Sequence, residues 1–563
     1  MKKLFNGIIA ALIIVHTLSC EKEESFSETN NEAESVTLSA NIDNPKTKTT
    51  LGAKEGETYP VLWSKNDAIY IFTSEMAIFT LNGDGGFSSG TFNLTSGNYS
   101  KGTKLYGYYP ASQVTSFSVY NNIMEVNIPA EQFYLANSFA NGSSPMLAVR
   151  GYTDNNITFR NLFGVFKLLL TGTENEKIKS IEITSNNALN GPATVNFRTS
   201  SITFTGTEQS NKSIILNCGE NGIQLSQTPT EFLITLPPTD SYSYSNSNLT
   251  VIITDTNGNR RVVRTIDAKA INSSEIIKMP AICFTPQQGE YIVTDESGKR
   301  TYYGVGTSID GITWAPINCG YEPSTATSKG YVWGKLYQWG RKYGQGYYDQ
   351  LDGVGFRIDE EDETYPKKED GTIVDEAVEL NIGQHKNNKN IFYNGRDIYH
   401  HNQETWCNTT EHIFTLWNSG TSDAPLKSIY DPCPDGWRVP TAEEMRSLTT
   451  NFFNPYQNPN DYPDRTYNGQ QGVWCTGSSI YSPTISSVFL PASGYNIYDC
   501  QGHHRRTGCY YHTSDITLDS DANYSNGLYH PRLMIYNLGN GSIGISSNFS
   551  SLSAGAAIRC VRE

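Results

Sequence analysis

From Ser35 to about Phe284, apolar residues recur at every second position, and this period fixes local structure before any motif is considered. Val36, Leu38, Ala40 and Ile42 interleave with Thr37, Ser39 and Asn41; Phe232, Ile234 and Leu236 repeat the pattern, as do Leu249, Val251 and Ile253. Successive side chains of a strand point to opposite faces, so the alternation describes half-buried strands, whereas an amphipathic helix would space its apolar residues three and four apart. Turn clusters at Asn82-Gly83-Asp84-Gly85-Gly86, Asn190-Gly191-Pro192 and Asp255 to Asn259 interrupt the strands every ten or so residues, as in antiparallel sandwiches. The first cluster reads as a hairpin turn and not a calcium loop, which needs carboxylates at alternating positions and a distal Glu. The longest apolar stretch, Phe163 to Leu170, is broken by Lys167; it reads as a buried strand and is too short to span a bilayer.

A chain of 563 residues exceeds the size at which one core stops growing, so two or three domains are expected. Tyr (35 residues) and Gly (48) are abundant, which favours short strands with polar turns over long helices. With 42 basic against 57 acidic residues, a formal charge of −15 and no basic block, the chain lacks what neutralises phosphates, and nucleic acid is not an expected partner.

The N-terminus reads as an export signal: Lys2 and Lys3 form a basic region, Ile8 to Val15 an apolar one, and Thr17-Leu18-Ser19-Cys20 follows. Leu-Ser-Cys at this place resembles a bacterial lipobox, which implies cleavage before Cys20, acylation of its thiol and an outer-membrane anchor for the precursor. Residues 1–19 are then a signal peptide and 20–34 a polar linker. Nine of the ten cysteines remain: Cys218, Cys283, Cys319, Cys407, Cys433, Cys475, Cys500, Cys509 and Cys560. An oxidising compartment makes disulfides plausible, the odd number leaves a thiol over, and connectivity is not readable from spacing. No Cys-x-x-Cys pair exists and no His sits at ligand spacing, so no metal site is expected.

Lys46-Thr47-Lys48-Thr49-Thr50-Leu51, Val61-Leu62-Trp63-Ser64-Lys65-Asn66-Asp67-Ala68-Ile69-Tyr70-Ile71-Phe72, and Phe159-Arg160-Asn161-Leu162-Phe163-Gly164-Val165-Phe166-Lys167-Leu168 followed by Ile178 to Ser185 resemble, in that order, fimbrillin-family (Mfa-like) proteins of the Bacteroidales. The resemblance implies a mainly β protein with two tandem transthyretin-like sandwiches, residues 35–160 and 161–285, exported and assembled into a surface pilus. In such assemblies a β-domain deprived of one strand exposes unpaired amides and an apolar groove, which a neighbouring subunit's strand fills. A trypsin-like protease often opens the groove by removing the N-terminal strand. The matching stretch here holds Lys46, Lys48 and Lys54, while the first Arg of the chain is Arg150, so an Arg-specific protease finds no early site; the lysines read first as a solvated edge or turn, with Lys46 and Lys48 as the alternative processing sites.

Beyond Pro286 the chemistry changes: seven of the eight Trp lie there, at positions 314, 333, 339, 406, 417, 437 and 474. Thr313-Trp314-Ala315-Pro316-Ile317-Asn318-Cys319-Gly320, Leu336-Tyr337-Gln338-Trp339-Gly340-Arg341-Lys342, Asp431-Pro432-Cys433-Pro434-Asp435-Gly436-Trp437-Arg438-Val439-Pro440-Thr441 and Ile558-Arg559-Cys560-Val561-Arg562 are similar to the Fibrobacter succinogenes major paralogous domain. That resemblance implies an α+β fold over residues 286–563, related to C-type lectins and the formylglycine-generating enzyme. Thr441-x-x-Glu444 is a capping box that starts a short helix with Met445, Leu448 and Phe452 on one face. A bridge between Cys433 and Cys560 would tie the last segment to this helix. Cys500 and Cys509 flank Gly502-His503-His504-Arg505-Arg506, where a local bridge is a second candidate; Cys509 pairing elsewhere is equally open.

Long loops on a small rigid sheet are where binding concentrates. Asp352 to Asp375, with the acidic run Asp359 to Glu363, and Asp499 to His512 are the candidate loops, yet no ligand-contacting residue is singled out. The acidic run reads as solvated loop, His400, His401, His503, His504 and His512 as loop histidines, and most Trp as core. No His-Glu-x-x-His and no Gly-rich phosphate loop is present, no catalytic residue is assigned, no cofactor is expected, and no paired cysteines match the oxidases of the lectin-like fold. The expected function is that of a pilus subunit, with the tip favoured because the sequence closes at Cys560-Val561-Arg562-Glu563 within its last domain. Its expected partners are other pilus subunits and a host or bacterial surface glycan or protein. The alternative is a lipid-anchored surface glycan-binding protein that does not polymerise.

Overall fold

The computed structural model describes residues 36–43, 62–100, 104–118, 121–151, 156–185, 187–206, 208–238, 249–264, 271–323, 333–344, 415–450, 466–467, 470–476, 486–496, 502–503, 508–518, 529–537, 543–546 and 554–563. The chain divides into Met1–Val36 and Thr37–Glu563; apart from Val36, everything below belongs to the second unit. The molecule is mainly β. Among the described residues no helix is long and apolar enough to cross a membrane.

Among the described residues, ten strands occupy the first part: β1 (Thr37–Ile42), β2 (Ala68–Phe72), β3 (Met76–Leu81), β4 (Ser89–Gly97), β5 (Lys104–Tyr109), β6 (Val114–Ser118), β7 (Ile123–Ile128), β8 (Glu131–Phe133), β9 (Met146–Gly151) and β10 (Asn156–Asn161). Seven of them form a closed sheet in the order β1-β10-β9-β5-β2-β3-β4, with β4 returning to β1. Leu38, Ala40, Ile42, Ile69, Ile71, Phe79, Phe92 and Phe159 fill its interior around Trp63. Asn82 to Gly86 joins β3 to β4, where Gly83, Gly85 and Gly86 all take positive φ, a conformation that Gly adopts without the Cβ clash of other residues. Among the described residues, this sheet has no unpaired edge while β1 is in place.

The remaining strands of the first part leave this sheet. β6 and β7 pair with β13 (Gly191–Asn196) and β14 (Ser201–Phe204) in the order β14-β13-β7-β6, reached through β11 (Gly164–Thr171) and β12 (Lys177–Thr184). β8 pairs with β15 (Ser213–Asn217). After β16 (Ile223–Gln224) come β17 (Thr230–Leu236), β18 (Thr250–Asp255), β19 (Arg260–Arg264), β20 (Ile276–Lys278), β21 (Ile282–Cys283), β22 (Glu290–Thr294) and β23 (Arg300–Val305). β22-β23-β19-β18-β12-β15-β8 is one continuous sheet. The divisions expected near residues 160 and 285 are therefore not breaks in the hydrogen-bonded sheets: both are crossed by strand pairing.

The half-buried reading of the later strands needs correction. β1 alternates as expected, but in β17 Leu233 and Thr235 are as buried as Phe232, Ile234 and Leu236, and Gln132 pairs with both backbone groups of Thr235 (2.8 and 3.0 Å). In β18, Val251 and Ile253 face the core of β11, β12 and β17, while Ile252 faces a second core. That sheet is covered on both faces, because the next module packs on its far side.

This last module begins with β24 (Thr307–Ile309) and β25 (Ile312–Trp314). Its core packs Trp339, Trp417, Trp437 and Tyr291 against Ile252 and Val262 of the large sheet. Arg261 on β19 reaches across to Glu290 on β22 through two bonds, 2.9 and 3.0 Å, and also donates to the carbonyls of Phe284 and Thr285. Both side chains are buried, so their desolvation is offset only while the pair stays intact. The helix α1 (Ala442–Thr450) follows Thr441. Thr441 N donates to Glu444 Oε2 (2.8 Å) and Glu444 N to Thr441 Oγ1 (3.2 Å), the two reciprocal bonds of a capping box. Met445 and Leu448 are buried beneath it; Phe452 lies outside the described residues.

Candidate functional site

Two closures stand out chemically: the strand that seals the first sheet, and the covalent link that seals the last module.

β1 runs parallel to β10, with Ala40 opposite Ile157 and Ile42 opposite Phe159, and antiparallel to β4, with Leu38 opposite Phe92 and Ala40 opposite Gly90. Its backbone is therefore paired on both sides. Leu38, Ala40 and Ile42 point inward and are at most 5% exposed, while Thr37, Ser39 and Asn41 face out. Trp63 lies beneath and donates from Nε1 to the Ala40 carbonyl at 3.2 Å, its ring edge-on to Phe92, Tyr109 and Phe159 at 4.9–5.7 Å. Gly90 makes room for it: a Cβ there would stand 2.5 Å from Leu81 Cδ1 and 3.4 Å from Trp63 Cδ1. Asp67 braces the turn after Trp63, accepting from Ser64 N (2.7 Å) and Tyr109 Oη (2.8 Å). Burial pushes its carboxyl up to about 6, against those two bonds, which pull it down.

Without β1, the edges of β4 and β10 would be unpaired and a slot lined by Trp63, Phe92, Ile157 and Phe159 would open between them. Such a slot takes any strand with apolar residues at alternate positions, the main chain supplying affinity and the pockets register. Lys46 and Lys48 follow β1 in the chain, where a cut would sever it from the rest; they, and Cys20, lie outside the described residues.

In the last module Cys433 and Cys560 are joined, Sγ–Sγ 2.04 Å, across 127 positions. The link holds the strand Val561–Arg562, whose Val561 pairs with both Trp314 and Arg438. Asp431 organises the Cys-Pro turn: it accepts from Cys433 N and Val439 N, both 2.8 Å, and from Lys427 Nζ at 3.1 Å. Lys427 also donates to the Cys433 carbonyl at 2.6 Å. The residues of the Cys-Pro-x-Gly-Trp segment are thus framework.

Of the second disulfide candidate, Cys509 carries a free, wholly buried thiol that donates to Leu490 O at 3.4 Å, in a core that also holds Cys475. Burial raises the Cys475 thiol to about 12 and Cys509 well above its usual range. Cys500 itself, like Cys407, His400, His401, His504 and the acidic run, lies outside the described residues. His512 is not a loop residue: it sits on the strand Gly508–Leu518, fully buried, with Nε2 2.8 Å from Tyr337 O. Burial holds its imidazole down at about 4. Trp314, Trp333, Trp339, Trp417 and Trp437 are buried, and Trp474 is half-buried against Phe489.

Sequence reasoning missed three features. Gly86-Phe87-Ser88-Ser89-Gly90 has the Gly-x-Ser-x-Gly spacing of a hydrolase elbow, but it enters β4 from a hairpin, strand to strand, where the elbow needs a strand-to-helix turn. The Arg261–Glu290 pair left no local signal. Cys319, part of a quoted motif, proves to lie beside the Cys433–Cys560 bridge.

No protein-family model matches this sequence, and no curated protein matches it. Among solved structures, it is similar to a candidate cell adhesion protein from Bacteroides uniformis ATCC 8492 (16% identity, 48% of this chain and 97% of that one, TM-score 0.28). It is also similar to a fimbrial protein from Bacteroides vulgatus ATCC 8482 (10%, 48% and 98%, TM-score 0.24) and to the tip fimbrial protein Mfa3 from Porphyromonas gingivalis with C-terminal truncation (12%, 41% and 82%, TM-score 0.19).

Proposed function

We propose that this chain is an adhesive subunit of a surface pilus that docks by strand exchange at the β1 seam. The observation that carries the reading is the double pairing of β1: it closes the first sheet from both sides, has its apolar residues on one face, and precedes Lys46 and Lys48. Cleavage there would release β1 together with the lipid anchor at Cys20 and leave a slot that a neighbouring subunit's strand fills. Residues 286–563 would then face outward and bind a glycan or protein, with the chain at the pilus tip and the precursor on the outer membrane.

The test uses the full-length chain, trypsin under native conditions, and a purified pilus shaft subunit carrying a free donor strand. Cleavage confined to the segment after β1, followed by a complex that survives dilution and appears only with cleaved chain, is the expected result. A cleaved chain that never forms the complex, or that keeps β1 bound indefinitely, would contradict docking at this seam and leave a surface protein that does not polymerise.

A further inference from the structure

The sulfurs of Cys319, Cys433 and Cys560 all lie within 4.8 Å of one another, and all three residues are buried. Two are bonded; Cys319 is a free thiol. Cys319 is held against both segments that carry the bridge. Its backbone N donates to Ile558 O at 2.9 Å, two residues before Cys560. Its Sγ donates to Pro432 O at 3.3 Å, one residue before Cys433. Two phenols attend the sulfurs: Tyr337 Oη donates to Cys319 Sγ at 3.2 Å, and Tyr291 Oη stands 3.6 Å from Cys560 Sγ.

We propose that these three cysteines form an intramolecular thiol–disulfide exchange site, independent of the docking role of the first sheet. Cys319 gives up its thiol proton and its sulfur bonds to Cys433; the Cys433–Cys560 bond breaks, its electron pair leaves on Cys560, and Cys560 takes up a proton. One thiol and one disulfide stand on each side of the reaction, so no external oxidant or reductant is consumed. A Cys319–Cys433 bridge closes a loop of nearly the same length as the present one, so chain entropy scarcely separates the two isomers and packing selects between them. The step changes what is tethered. With Cys433 bonded to Cys560, the strand Val561–Arg562 is covalently latched; after exchange it is held by noncovalent contacts, its backbone pairs to Trp314, Trp437 and Arg438 among them. Burial raises the Cys319 thiol, opposed by the bonds from Tyr337 and Tyr291, which keeps the thiolate scarce and the latch closed at rest.

The test maps disulfides in the full-length chain by mass spectrometry after acid quench and alkylation under denaturing conditions. Cys560→Ser is expected to give a Cys319–Cys433 peptide, and Cys433→Ser a Cys319–Cys560 peptide, with Cys319 unmodified by the alkylating agent in most molecules. Cys319 alkylated in both variants would overturn the proposal. Should either variant fail to fold, the wild-type chain is incubated at pH 9 with sub-stoichiometric glutathione. A Cys319–Cys433 peptide that grows with time at constant total thiol, with faster hydrogen exchange at residues 558–562, supports exchange. Cys319 remaining the free thiol of the three throughout overturns it.

Discussion

The molecule closes its two ends by different physical means. The first sheet is sealed by β1, a strand held by two backbone ladders, three inward side chains and one indole bond, all of them reversible. The last module is sealed by the Cys433–Cys560 bond around the strand Val561–Arg562, which is too short to hold itself by pairing. A noncovalent seal can be exchanged for another strand of the same pattern; a covalent one restrains the unfolded chain. Between them in the sequence runs the large sheet, covered on both faces and stitched by Arg261 and Glu290.

Four measurements would break or sharpen this contrast, read region by region through hydrogen exchange with mass spectrometry. The largest effect is expected for the double variant Cys319→Ala with Cys433→Ala, which prevents any replacement bridge: the last module should lose about 4–5 kcal/mol by the loop-entropy model, with the β1 sheet unchanged. Loss of protection in both regions would show that the closures are not separate. Next, Leu38→Ala should cost the first sheet about 2–5 kcal/mol through the cavity left beside Trp63, and leave residues 554–563 as protected as before.

The third measurement is pH, and the two regions should respond in opposite senses. Asp67 is raised to about 6 in the folded chain, so the fold binds its proton more tightly than the unfolded chain does. The first sheet should be most stable below about pH 4 and lose as much as ~3 kcal/mol as pH rises to about 6; Asp67→Asn should flatten the profile. His512 is lowered to about 4, so the last module should be fully stable above about pH 6.5 and lose up to ~3 kcal/mol as pH falls toward 4. Profiles that move together would contradict this assignment. The smallest effect is expected for Trp63→Phe, which removes the bond to Ala40 O and keeps a ring: about 1 kcal/mol, seen as faster exchange of β1 amides.

What was legible in the sequence follows the range of the interactions. Period-two alternation found β1, and the capping box found the start of α1, because both are written within a few residues. The alternation in β17 and β18 implies one buried face; Leu233, Thr235 and Ile252 lie on the other, covered by elements distant in the sequence. The same distance hid the crossings of the large sheet. Nothing near Arg261 points to Glu290, and nothing near Cys319 points to a bridge whose partners lie more than a hundred positions away. His512 looked like a loop residue because its neighbours Cys509 to Thr513 carry no apolar alternation, yet it is fully buried.

The central claim is that β1 is an exchangeable seal. A fluorescent peptide spanning residues 36–43 is added to full-length chain before and after native tryptic cleavage of the segment following β1, and uptake is followed by anisotropy. The account predicts no uptake by intact chain and saturable, one-to-one uptake after cleavage, weakened when Leu38 and Ile42 of the peptide are replaced by Ser. Uptake by the intact chain to the same extent, or a cleaved sheet that neither releases β1 nor accepts the peptide, would contradict it.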